Sequence, residues 1–335
     1  MIFKKIFITG GAGYTGSCLV PKLLNNGYQV TVYDIMYYTE KFLPKENPNL
    51  KIIKGDIRDS KLLENSCKGH DVFLHLACIS NDTSFALDEE LSTSINLDCF
   101  EPMVFAAKNV GLKRFIYASS SSVYGVSNER NVTEEHPLVP LTLYNKYKGM
   151  CEPLLLQNTN NNFEGVIFRP ATVCGYAPRQ RLDLSVNILT NFAVNKRFIK
   201  VFGGNQLRPN LHIKDYCEAI KILIEADSKK INNQIFNVGY QNLSILEIAE
   251  LVKRVVEKEF PDNKEIEIVK EPSDDNRSYH INSDKIKKIL NFQPKRSIEN
   301  AVEDLCKAFK EGFLKNSFED DIYFNINRMK NVNAK

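Results

Sequence analysis

Two side chains at helical spacing raise the chemical question first. Tyr144 and Lys148 stand at i and i+4 in YNKYK, so a helix there presents phenol and ammonium on one face. A phenol beside a cation can serve as a base. Lowering its pKa from ~10 to ~7 requires about 4 kcal/mol. One cation at ~4 Å supplies about that much at an effective dielectric of ~20. The spacing alone is weak support, because Tyr37 and Lys41 repeat it in a loop where no catalytic geometry is expected. Upstream of Tyr144, the run ASSSSVYG at 118–125 concentrates four hydroxyls before Val-Tyr-Gly.

A second chemistry resides in GGAGYTG, residues 10–16. Gly10, Gly11, Gly13 and Gly16 let the backbone turn tightly and approach a pyrophosphate, with Tyr14 and Thr15 opening the following helix. The phosphate charge would sit on free N–H groups at that helix N-terminus. Asp34 stands eighteen residues beyond Gly16, at the end of a second strand. A carboxylate there can hold a ribose 2′-hydroxyl. It would repel a 2′-phosphate, and IMYYTE after it contains no Arg or Lys to offset the charge. NAD is therefore expected rather than NADP.

The elements that must position these groups follow from hydrophobic period. Strands are expected at 6–9, 29–34, 50–56, 71–77, 113–119 and 165–170, with crossover helices at 13–26, 87–110 and 141–159. Continuous apolar strands alternating with helices imply a doubly wound parallel α/β sheet covered on both faces. In the second half, helices are expected at 212–226, 283–290 and 297–311, and strands at 234–239 and 265–270. A capping box, Ser244 to Glu247, opens one more helix. Residues 1–169 and 206–240 are expected to form a Rossmann cofactor domain. Residues 170–205 and 241–320 are expected to form a smaller mixed α/β substrate lobe, with 321–335 an arm or tail.

Composition narrows the function classes. The 335-residue chain carries a formal net charge of +3 with both signs interspersed, which makes no case for a nucleic-acid polymer or a membrane surface. The longest apolar stretch, VFLHLACI, is far short of a membrane span. The N-terminal MIFKKIFITGG is too quickly interrupted for a signal peptide. Eight scattered cysteines without a CxxC pair fit reduced thiols in a cytoplasmic enzyme, and no metal site is expected.

Taken together, GGAGYTG, Asp56-Ile57, the HLAC strand end, Asn96, SSSSVYG, Tyr144/Lys148 and RPATVCG resemble the extended short-chain dehydrogenase/reductase superfamily. The resemblance is to its NAD-dependent nucleotide-sugar epimerase/dehydratase branch and runs to about residue 310. It implies Tyr144 as base toward a sugar hydroxyl, Lys148 on the nicotinamide ribose, and Ser120, four residues before Tyr124, steadying the same hydroxyl. It also implies cofactor contacts at Asp56, Ile57, Leu76, Ala77 and Asn96. The branch's 4,6-dehydratases carry Asp-Glu at the two positions occupied here by Ser121 and Ser122, so dehydration is disfavoured.

On the substrate side the resemblance implies contacts from Ser80, Asn81, Ser121, Thr172, Arg179, Arg181 and Arg208. Thr172 stands where many relatives have Asn. Arg208 matches an arginine that clamps the nucleotide diphosphate, a task suited to a bidentate guanidinium. Glu271 replaces a second such arginine, and Arg277 is the candidate substitute. His75 reads as structural, and His136 and His212 lack metal-ligand spacing. The expected activity is an NAD-dependent nucleotide-sugar 4-epimerase or related 4-oxidoreductase in surface-polysaccharide sugar biosynthesis. The alternatives are a net 4-dehydrogenase, for instance of GDP-heptose, and a noncatalytic NAD-binding regulator. A homodimer through a four-helix contact of 87–110 and 141–159 is also expected.

Overall fold

The computed structural model describes residues 3–80, 82–127, 129, 131–273 and 278–335. Asn81 and Arg277 lie outside the described residues.

Seven strands form one parallel sheet: β1 (Lys5–Thr9), β2 (Gln29–Asp34), β3 (Leu50–Lys54), β4 (Val72–His75), β5 (Arg114–Ala118), β6 (Glu164–Pro170) and, later in the chain, Gln234–Val238. From that last strand the order runs β6, β5, β4, β1, β2, β3. Strand period two sorts the core onto both faces. Ile6 and Ile8 join one buried cluster with Leu19, Val20 and Ile220 from the helices Tyr14–Asn25 and Ile213–Glu225. Phe7 points the other way, into a cluster with Phe73, Phe115, Met103 and Leu155 beneath the helices Phe100–Asn109 and Leu143–Leu156. Each such fully buried side chain contributes roughly 1.5–3 kcal/mol relative to exposure.

Beside this sheet lie two small ones. Strands β7 (Thr172–Cys174) and β9 (Leu207–His212) run parallel, and β11 (Gln241–Ser244) is antiparallel to β9. Strand β8 (Phe198–Phe202) pairs in parallel with β12 (Glu267–Glu271), Gln234–Val238 being β10. The helices Ser185–Lys196, Ile245–Glu259 and Ile298–Lys310 cover them around a third apolar cluster. Ser244 and Glu247 form the anticipated capping box.

Residues 87–110 are not one helix. Glu89–Thr93 and Phe100–Asn109 flank a π-helical turn, Ser94–Asp98. The widened turn coincides with Asn96, whose amide bonds the Ile79 backbone in both directions (Ile79 N to Oδ1 2.9 Å, Nδ2 to Ile79 O 2.8 Å). Residues 321–335 pack on the body through a 3-10 turn, Asp321–Tyr323, and a helix, Asn325–Asn331. Ile322, Tyr323 and Met329 are buried there. Among the described residues no helix is long and apolar enough to cross a membrane.

Candidate active site

In an open parallel sheet, a ligand crevice forms at the carboxyl ends of the strands where the order reverses. Here that point lies between β1 and β4, and a cleft of about 420 Å³ opens there. Gly10, at φ +76°, leads β1 into the loop; a Cβ on it would lie 2.5 Å from the Ala77 nitrogen. A Cβ on Gly16 would lie 2.2 Å from the Gly11 carbonyl oxygen, so helix and loop can meet only as glycines. Gly10, Gly13, Tyr14 and Thr15 line the cleft, while Gly11 and Gly16 form its support.

Asp34 ends β2 at the cleft wall and accepts from the Ala12 and Met36 N–H groups at 3.0 and 2.8 Å. Burial raises its pKa; the two N–H groups and the Arg179 charge oppose that. The Tyr14 hydroxyl donates to the Gly175 carbonyl at 2.6 Å and accepts from Asn187 Nδ2 at 3.1 Å, tying the loop to the small lobe. Asp56, Ile57, Leu76 and Ala77 continue the wall. Asn96 is absent from that wall. Its amide holds the Ile79 backbone, and Ile79 in turn lines the cleft.

The cleft suits a dinucleotide on its own evidence of shape and charge. Its glycine cradle excludes a Cβ at Gly10, and a carboxylate stands at the end of β2. Arg179, which lines the cleft, is 1% exposed, and its Nε has no hydrogen-bond partner among the described residues. Its backbone N–H donates to Ser17 Oγ at 3.1 Å, on the first helix, so it sits toward the glycine loop. Burial pushes this guanidinium down to about 10. An incoming phosphate would relieve that unbalanced charge.

The four serines divide by partner. Ser119 Oγ donates to Glu152 at 2.6 Å, inside a buried ion pair with Arg169. Ser120 Oγ lies 2.7 Å from Ser122 Oγ, which donates to Asn145 Oδ1. Ser122's proton is therefore committed, and Ser120 is the donor between the two. Ser121 is 1% exposed and contributes to the wall.

Tyr144 and Lys148 lie on the helix Leu143–Leu156, and both line the cleft with Ser120. The Lys148 ammonium donates to the Ala118 carbonyl at 2.8 Å and lies 5.1 Å from the Tyr117 ring. An ammonium has three donors, so a ligand can share it. In the free protein burial dominates the Tyr144 phenol. Burial pushes it well above its ordinary value, the Cys78, Asp82 and Tyr279 side chains add to that, and Arg181 pulls it down.

Ser80, Thr172, Arg181 and Arg208 line the same cleft. Arg181 pairs with Asp183 through two bonds of 2.8 and 3.1 Å and donates to Ser80 Oγ at 2.9 Å. The Arg208 guanidinium lies 5.3 Å from the Tyr279 ring centre. His75 is buried, 2.7 Å from Thr9 Oγ1 and stacked on Tyr117, and burial keeps its imidazole neutral. His212 caps a helix at the Lys214 N–H. Sequence reasoning missed Tyr38, Asn145, Tyr279, Asn325 and Met329 in the cleft. The apolar spacing of IYFNINRM was the available signal for Met329.

Residues 6–239 match the NAD dependent epimerase/dehydratase family. The low-salt glycan biosynthesis protein Agl12 of Haloferax volcanii is 27% identical, covering 89% of this chain and 96% of that protein. UDP-arabinose 4-epimerase 1 of Arabidopsis thaliana is 28% identical, covering 91% of this chain and 78% of its own length. The solved dTDP-glucose 4,6-dehydratase DesIV of Streptomyces venezuelae, with NAD bound, shares the fold. Its TM-score is 0.82 at 21% identity, covering 95% and 99% of the two chains.

Proposed function

The chain belongs to the NAD-dependent epimerase/dehydratase family, and from that premise we propose that it is a nucleotide-sugar 4-epimerase or closely related 4-oxidoreductase. The reaction passes through a 4-keto sugar and serves surface-polysaccharide sugar biosynthesis. The observation that carries this reading is the convergence of Ser120, Tyr144 and Lys148 on one cleft that Arg181 and Arg208 also line.

NAD, when bound, supplies the hydride acceptor and, in epimerisation, returns the hydride. With the positive nicotinamide ring in place, Tyr144 would lose its own proton to solvent and, as the phenolate, accept the C4 hydroxyl proton. Ser120 turns its own proton from Ser122 to the sugar oxygen and fixes that oxygen for transfer. Lys148 would hold the nicotinamide ribose, and Arg181 favours the Tyr144 phenolate. Arg208 takes the diphosphate. Arg179 serves the cofactor phosphates rather than the sugar, because its surroundings are the first helix and Asp34.

Elimination of water is disfavoured. Ser121 and Ser122 stand where a dehydratase needs an acid and a base, and Ser122 is bound to Asn145. A net 4-dehydrogenase uses the same residues. Free thiols at all eight cysteines suit a reducing, cytoplasmic compartment. Phe105 and Met150, 44% and 42% exposed on the helices Phe100–Asn109 and Leu143–Leu156, provide the apolar face for a homodimer. A monomeric mass in solution would sink the dimer.

The test is incubation with GDP-, UDP-, dTDP- and CDP-sugars, following products and reduced-nicotinamide absorbance. Redox-neutral C4 stereoisomers support the epimerase. Accumulated NADH with a keto sugar selects the dehydrogenase, a 4-keto-6-deoxy product overturns the case against dehydration, and no turnover of any sugar favours a noncatalytic regulator.

A further inference from the structure

We propose that residues 321–335 are a working part of the site, with Asn325 a positioning residue for Arg179 and Arg181 and the segment a strap across the cofactor cleft. The proposal rests on the NAD reading above and assigns this segment a role in holding that cofactor.

Asn325 is 4% exposed and lines the cleft. Its Oδ1 accepts from Arg179 Nη2 at 2.7 Å, and its Nδ2 donates to Ser80 Oγ at 3.0 Å. Ser80 Oγ also accepts from Arg181 Nη1 at 2.9 Å. The Asn325 backbone N–H donates to Asp183 at 3.2 Å, the carboxylate that pairs with Arg181. One amide residue therefore fixes both buried guanidinium groups. Arg179 depends on it most. Its other close partner is the Tyr38 ring, 3.6 Å from the guanidinium carbon, and among the described residues it forms no ion pair.

The same segment reaches across to the cofactor side. Met329 is 3% exposed, lines the cleft and shares an apolar cluster with Ile57. Arg328 Nε donates to the Tyr37 carbonyl at 2.6 Å. The Lys335 backbone oxygen accepts from Arg58 Nη2 at 2.6 Å, and Arg58 holds Asp56. At its other end, the Tyr323 carbonyl accepts from the Leu182 N–H at 2.9 Å. The segment is thus pinned both to the arginine loop and to the loops after β2 and β3. A cofactor lying between Asp34 and Lys148 is covered by it, and dissociation requires those contacts to open.

The experiment uses the full chain with NAD as probe. Hydrogen exchange is followed across residues 321–335 with and without saturating NAD, and NAD affinity and release rate are measured for wild type, Asn325→Leu and Asn325→Asp. NAD should slow exchange across the segment. Asn325→Leu should weaken NAD about tenfold or more, mainly through faster release, since it removes a bond to a charged group. Asn325→Asp keeps an acceptor for Arg179 and should recover affinity to within about threefold of wild type. If Asn325→Leu fails to fold, the wild-type exchange result and Asn325→Asp decide. NAD binding that leaves exchange at 321–335 unchanged overturns the proposal alone, as does Asn325→Leu with wild-type affinity. A wild-type chain that does not bind NAD overturns the cofactor reading and the proposal with it.

Discussion

Replacing Arg169 by Met should destabilise the protein by about 3–5 kcal/mol, because it strands a carboxylate in the core. Arg169 and Glu152 have side chains 3% exposed and meet through contacts of 2.6 and 2.9 Å. Arg169 also donates to the Tyr124 hydroxyl at 2.6 Å, and Glu152 accepts from Ser119 at 2.6 Å. The pair thus underlies both ends of the serine run. In Arg169→Met the Glu152 carboxylate keeps Ser119 as donor but loses its counter-charge. The double variant Glu152→Leu/Arg169→Met removes both charges, so most of the loss should return. A residual of about 1–2 kcal/mol remains, since Ser119 loses its acceptor while Tyr124 still reaches Asn237 at 2.7 Å. Urea unfolding of wild type, both single variants and the double variant gives the coupling directly. A loss below about 1 kcal/mol in Arg169→Met, or a double variant as unstable as the sum of the singles, would refute the reasoning.

Tyr144→Phe should lower turnover about 10²–10⁴-fold while NAD affinity stays near wild type, measured by product formation and calorimetry. Asp34→Ala should weaken NAD by about 10- to 100-fold and narrow its preference over NADP; because burial raises the Asp34 pKa, wild-type NAD affinity should also begin to fall at a higher pH than an ordinary carboxylate dictates. At Asp304, burial is outweighed by the Lys214 ammonium, which donates to it at 2.6 Å, and by the His212 ring 3.3 Å away, which together hold the carboxyl at about 2, below its unfolded value. Its stabilisation is therefore complete above about pH 4 and lost as pH falls through 2; Asp304→Asn should cost about 1–2 kcal/mol at neutral pH, after allowing for solvent screening, and only a small fraction of that at pH 2, read from unfolding midpoints against pH.

The glycine loop, the six early strands and the Ser244 capping box were legible because their signals are local: period, turn chemistry and a fixed offset. Strand β9 was not. It contains Pro209, which argues against a strand interior, and it forms by pairing with residues 172–174 and 241–244 across the chain. Asn325 carried no mark of its own, since an amide in a polar segment acquires a role only when the fold brings Arg179 and Ser80 to it. The electrostatics around Tyr144 in the free protein are not readable from spacing for a related reason. Spacing sets Lys148 beside it on the helix, but burial and the Ala118 carbonyl decide where that charge acts.

The place of β1 in the middle of the sheet also bears on how the protein is made. Its two neighbours are β2, from residues 29–34, and β4, from residues 72–75. During synthesis β1 therefore keeps one edge unpaired until more than twice the length to β2 has been translated. The glycine loop that follows it takes its packed form only when Ala77 arrives against Gly10. Non-local parallel pairing of this kind folds slowly and exposes an apolar edge meanwhile. Nascent chains stalled before residue 72 should engage chaperones, and the dinucleotide cradle should mature only after β4 has docked.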